Sequence, residues 1–250
     1  MNYLLTRIKK LIRQNFLPEN RVQTISEIIA VLVWMVSTVM FYYVLQDIFP
    51  EQEFWRGANF ASIIASFFIV DGLLFSFLFR NLFELSDQIE SQGIDQRLLL
   101  PVGFRSYSSF RRMQFSSLIQ IPVSIILVIL ILPISIPSFL LWTGSLIIGF
   151  LIAYHLWYIF SLLSFWIKIG EKSTFLFEEF SLICMFPAAP FIASELFVFF
   201  FPFLTFASFS ARGLLEGGWG RVYMMQGATL IVFVIIAKIL EYLGLRRYRQ

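Results

Sequence analysis

Six long apolar runs, each bracketed by polar or charged clusters, set the pattern of the chain, at about 25–46, 58–79, 113–132, 139–167, 174–195 and 223–243. At a rise of about 1.5 Å per residue, a helix of that length crosses the roughly 30 Å hydrocarbon core of a bilayer. The pattern predicts an all-α integral membrane protein with six transmembrane helices.

Ahead of the first run, Leu4, Leu5, Ile8, Leu11 and Ile12 share one helical face, and Arg7, Lys9, Lys10 and Arg13 lie mainly on the other. Residues 1–22 are expected to form an interfacial amphipathic helix, broken at Pro18 by a turn through Glu19 and Asn20. Its apolar residues are not contiguous, so it lacks the core of a cleavable signal peptide. Residues 23–250 then make a single transmembrane domain.

Between the second and third runs, residues 80–112 interrupt the pattern. Arg80 and Asn81 mark the exit from the second span. Leu82, Leu85 and Ile89 share a face, while Glu84, Asp87 and Glu90 lie off it, so the helix is expected to continue into water. Gly93 is the expected C-cap. Asp95 is placed as N-cap of one or two turns carrying Gln96, Arg97, Leu98, Leu99 and Leu100, which Pro101 stops.

The third span holds Pro122 as an expected kink, and the turn at 133–137 carries no charge. From Phe175 to Ala211 the apolar stretch is too long for one span, and Pro187, Pro190, Glu195 and Pro202 interrupt it. It predicts a fifth span ending near Glu195 and a Phe-rich hairpin, 196–220, that enters the outer leaflet without crossing. The aromatic stripe from Phe191 to Phe209 reads as lipid-facing bulk and hairpin packing, with an amphiphile-binding surface as the alternative.

Composition agrees: 58% of the 250 residues are hydrophobic, only 14% are charged, and 31 are phenylalanine. A soluble domain of this size has too little interior for so much apolar surface. The net charge of +3 says little as a total, but its distribution sets the topology. Of the 19 basic residues, only Arg56, Arg212, Arg221 and Lys238 fall outside the clusters that six spans place on one side. Both ends are therefore expected in the cytoplasm. A seventh crossing at 196–211 would put Arg246, Arg247 and Arg249 outside, against the same rule.

Catalytic chemistry finds no support. His155 is the one histidine and lies inside an apolar span, where a packing hydrogen bond is the ordinary role. Cys184 is the one cysteine and excludes an internal disulfide. Neither metal-ligand spacing, nor a phosphate loop, nor a nucleophile elbow is present, and nothing suggests a nucleic-acid partner. Ionisable residues within apolar runs cost about 2.5–3.5 kcal/mol each at mid-bilayer on insertion scales. Glu178, Glu179 and Lys238 are placed to snorkel or pair. Asp71 and Glu195 are the candidates for a pathway or gate, with a helix-packing hydrogen bond as the equal alternative for Asp71.

This layout resembles the membrane subunit of ATP-binding-cassette exporters of the second exporter class. The run Ile89 to Pro101, IESQGIDQRLLLP, is similar to the G-x-D-x-x-L-x-x-P loop of a bacterial subfamily of such permeases, and Gly244 to Tyr248, GLRRY, resembles that subfamily's ending. The resemblance implies a coupling helix that docks on a separate cytosolic ATPase. It places that contact on Gly93, Asp95, Arg97, Leu98, Leu99 and Pro101, with Asp87 and Glu90 on the helix leading in. It implies that ATP and Mg bind the ATPase and that this chain, without a Walker motif, carries no cofactor. It also implies a second permease chain, identical or not, a bacterial inner-membrane location, and export of a hydrophobic or amphiphilic substrate. The rival reading is a channel or scaffold whose cytoplasmic loop binds another partner.

Overall fold

The computed structural model describes residues 18–48, 57–95, 104–109, 112–168 and 208–248, and all regular structure among them is helical. The helices are α1 (Pro18–Ile48), α2 (Gly57–Phe77), α3 (Phe79–Glu90), α4 (Phe104–Ser109), a 3-10 turn (Ser116–Ile119) leading into α5 (Gln120–Ile131), α6 (Ile136–Leu163), α7 (Ser208–Glu216) and α8 (Trp219–Tyr248). Three are long and apolar enough to cross a membrane: the Arg21–Phe41 part of α1, α6 and α8. Counting α2 and α3 as one bent span makes four. Residues 1–17 and the fifth apolar run lie outside the described residues, as does the hairpin before Ser208.

Two boundaries differ from the sequence expectation. Pro18, Glu19 and Asn20 open α1 rather than forming a turn. Proline at a helix start forgoes an N–H that would have no partner there. Pro122 does not kink a span but sits in the first turn of α5, again where its missing N–H is not needed. The third apolar run forms the shorter apolar helix Ser116–Ile131, counting its 3-10 turn.

The interior is organised on α2, whose residues 61–72 are all buried. Ser62, Ala65 and Ser66 let neighbouring helices approach closely. At Gly72 an added Cβ would lie 2.9 Å from the Ser117 carbonyl, so α2 and the 3-10 turn meet backbone to backbone. α5, α6 and α7 pack around α2, α1 lies against the 3-10 turn and α5, and α6 pairs along α8. Trp142 of α6 is fully buried and donates its indole N–H to Ser66 Oγ at 2.9 Å. Large aliphatic side chains of α1, α5 and α8, among them Val22, Leu130 and Ile231, remain exposed. A water-facing surface of this kind is unfavourable, and lipid is its natural solvent.

At the other end, Ser145, Ser210 and Gln226 bind one another inside the bundle, tying α7 to α6 and α8 through bonds of 2.8, 2.8 and 3.4 Å. Gly217 and Gly218 turn the chain from α7 into α8 with φ of 73° and 64°, a region open to glycine at little cost.

Candidate functional site

α2 and α3 meet at a bend of 50° with no proline or glycine at the junction. Its cause is the donors that reach the carbonyls there. Gln114 N–H donates to Ser76 O at 2.9 Å, and Asn81 Nδ2 donates to Phe77 O at 2.8 Å. Donors from outside a helix ladder are a recognised origin of kinks. The two hydrogens of the same Asn81 amide are shared among Phe77 O, Ser109 O and Arg112 O, and its Oδ1 accepts from the Arg112 N–H at 2.7 Å. One buried carboxamide thus fixes both the bend and the chain's return from the loop. Nearby, Glu84 pairs with Arg112 and with Arg80, the latter at 3.7 Å.

Beyond the bend, α3 has the face read from its sequence: Leu82, Leu85 and Ile89 are buried, Glu84 and Glu90 are half-buried, and Asp87 is exposed. Ser161 of α6 donates to Leu82 O at 3.0 Å, holding α3 against the bundle.

The helix then ends in a Schellman motif. Gly93 N–H bonds to Gln88 O at 2.8 Å and Gln92 N–H to Ile89 O at 3.3 Å. The left-handed residue of that motif is Gln92, with φ 57°, and not Gly93, the expected cap. Ile94 is fully buried and anchors the turn, so Gln92, Gly93 and Asp95 face solvent. The structure therefore brings Asp87, Glu90, Gly93 and Asp95 together at one end of α3. Arg97, Leu98, Leu99 and Pro101 lie outside the described residues.

The end of α8 closes on this turn. Tyr248 Oη donates to Gln92 O at 2.8 Å, across 156 positions of sequence, and the Asp95 carboxylate sits beside the same phenol. The Tyr248 ring meets Phe165 edge-on at 6.2 Å. Gly244, one helical turn earlier, packs so closely on Phe165 that a Cβ would clash with the edge of the ring. These residues border an open cleft of about 560 Å³ whose rim carries Glu90, Asp95, Lys168 and Arg247.

Deeper in the bundle, Arg105 of α4 reaches between α6 and α8. Its Nε lies 3.6 Å from Glu241 Oε2, its guanidinium stacks 4.7 Å over the Tyr158 ring, and its terminal nitrogen is 3.5 Å from His155 Nε2. Ser109 and Tyr154 share a hydrogen bond of 2.7 Å beside it. His155 is held through Nδ1 by Leu151 O at 2.7 Å, the packing role expected of it. In the sequence Arg105 counts only toward the charge pattern, and Glu241 carries no signal of its own. Arg105 stands in the polar loop and Glu241 near the end of the last apolar run, and nothing in the sequence indicates that they meet.

Asp71 lies on α2, on the far side of the bend, and is buried. The Gln120 amide, oriented with its nitrogen inward, donates to Asp71 Oδ2 at 3.2 Å and to Phe68 O at 3.0 Å. Glu195 lies outside the described residues. Among the described residues no group of three or more His, Cys, Asp or Glu is placed to hold a metal ion.

The family described as "ABC-2 family transporter protein" matches residues 31–250. The chain belongs to this ABC-2 transporter family. It is a multi-pass membrane transport permease, the membrane component of its transporter, and the family implies an ATPase partner of the ABC type. The exposed aliphatic side chains of α1, α5 and α8 in the ABC-2 permease are consistent with that assignment. No curated protein and no solved structure matches the chain.

Proposed function

We propose that this ABC-2 permease forms half of the translocation pathway of an ATP-driven exporter, and that the loop from Asp87 to Pro101 docks on a separate cytosolic ATPase that binds ATP and Mg. The observation that carries this reading is the end of α3. A clamped helix presents Gln92, Gly93 and Asp95 to solvent, and the sequence continues into Arg97, Leu98 and Leu99. Leucines in a short exposed segment are unfavourable in water but suit an interface anchor, and flanking charges fix orientation.

The surroundings suit transmission of a docking force. Asn81 ties the returning chain to the α2–α3 bend, Ser161 ties α3 to α6, and Arg105 ties α4 to α8. A push on the loop is delivered to several spans at once.

In this reading the chain has six spans, an interfacial helix within residues 1–22 and a re-entrant outer hairpin at 196–220. Both termini lie in the cytoplasm, and the membrane is the bacterial inner membrane. A second permease chain, the same or different, completes the path. The Phe-rich stretch before α7 favours a hydrophobic or amphiphilic cargo. Asp71, bonded to Gln120, is assigned to helix packing, while Glu195 remains the pathway candidate.

Affinity purification of the tagged permease from its native membrane in mild detergent tests the reading. An ABC ATPase is expected among the retained polypeptides. Retention of channel or scaffold components with no ATPase contradicts it.

A further inference from the structure

Gln92 holds a conformation that costs a non-glycine residue about 1–2 kcal/mol in the left-handed helical region. A turn with that cost persists where its surroundings over-determine it. Two Schellman bonds come from the turn itself, but Gln92's carbonyl is held from elsewhere, by Tyr248 Oη at 2.8 Å. Tyr248 is in turn positioned by the contact of its ring with Phe165 and by the close seat of Gly244 on that ring. The phenol also sits beside Asp95, a residue of the docking loop. The end of α8 and the shape of the loop are therefore joined at one hydroxyl.

We infer that Tyr248 is a positioning residue for the docking loop: its hydroxyl holds Gln92 in the left-handed turn that presents Gly93 and Asp95 to the ATPase. This rests on the docking reading above. It adds a route by which ATPase movement reaches α8 directly, separate from Asn81 and Arg105. The two residues that form it stand 156 positions apart in the sequence.

The test compares Tyr248→Phe with the same change in a Gln92→Gly background, using the permease purified with its ATPase. Phenylalanine keeps the ring on Phe165 and removes only the donor. Glycine accepts the left-handed turn without help. Loss of the hydroxyl is expected to speed hydrogen exchange at the amides of Ser91, Gln92 and Gly93 about fivefold, the equivalent of one ordinary hydrogen bond. It is also expected to raise the dissociation constant of the ATPase several-fold, and both effects should vanish in the Gln92→Gly background. A merely structural tyrosine would weaken both backgrounds equally. Unchanged exchange after Tyr248→Phe overturns the latch, and faster exchange with undiminished ATPase affinity overturns its positioning role. Failure of the wild-type permease to retain any ATPase sinks the docking reading and the positioning role with it. The exchange result then still reports whether the latch exists.

Discussion

The Asn81 carboxamide grips Arg112 by both backbone groups, accepting its N–H at 2.7 Å and donating to its carbonyl at 2.8 Å. Thirty-one positions separate the two residues, and the segment assigned to ATPase docking lies between them, flanked by α3 and α4. The pair closes that loop at its base.

Asn81→Ala leaves the Arg112 N–H and the carbonyls of Ser109 and Arg112 without this partner in a buried site. The expected loss is on the order of 2–3 kcal/mol, with hydrogen exchange accelerated across 104–114. Thermal unfolding in detergent together with exchange mass spectrometry measures both. An unshifted melting temperature with unchanged exchange would contradict the clamp.

Arg105 and Glu241 form a partly exposed ion pair, with 24% and 23% of their side chains accessible, backed by Tyr158 and His155. Truncating either one leaves the other without its charged partner in a partly buried site. Each of Arg105→Ala and Glu241→Ala is expected to cost about 1–3 kcal/mol, discounted for solvent access. The double variant should cost less than the two singles added. Strict additivity in a double-mutant cycle would show that the two charges do not interact.

Gly244→Ala places a methyl group where the Phe165 ring stands. The expected result is destabilisation by about 1–3 kcal/mol, as for overpacking elsewhere, with partial recovery when Phe165→Leu opens space. If alanine is neutral at this position, α8 does not seat on Phe165 as described.

The helical, membrane-spanning character of the chain is legible in the sequence because lipid imposes a simple rule: a span must be apolar for about twenty residues. The buried face of α3 was equally readable, since Leu82, Leu85 and Ile89 recur at helical spacing. What escaped were single polar contacts between distant segments. Asn81 reads as an exit marker, and only its four bonds reveal a clamp. Gly93 looked like the left-handed cap because glycine is the usual occupant, yet Gln92 takes that position with help from outside the helix. The bend at Leu78 has no sequence signature of its own, because the donors that produce it arrive from Gln114 and from the Asn81 side chain. The GLRRY ending was recognisable as a motif, but its physical content, a glycine seated on Phe165 and a tyrosine on Gln92, required the fold.

The most direct test of the account is retention of the ATPase by a permease carrying Leu98→Asp and Leu99→Asp, measured by copurification against the unaltered chain. Two carboxylates in place of the hydrophobic anchor should remove the ATPase while permease yield and melting temperature stay at the wild-type level. An ATPase that remains bound in full to the doubly substituted permease would contradict the docking of this loop.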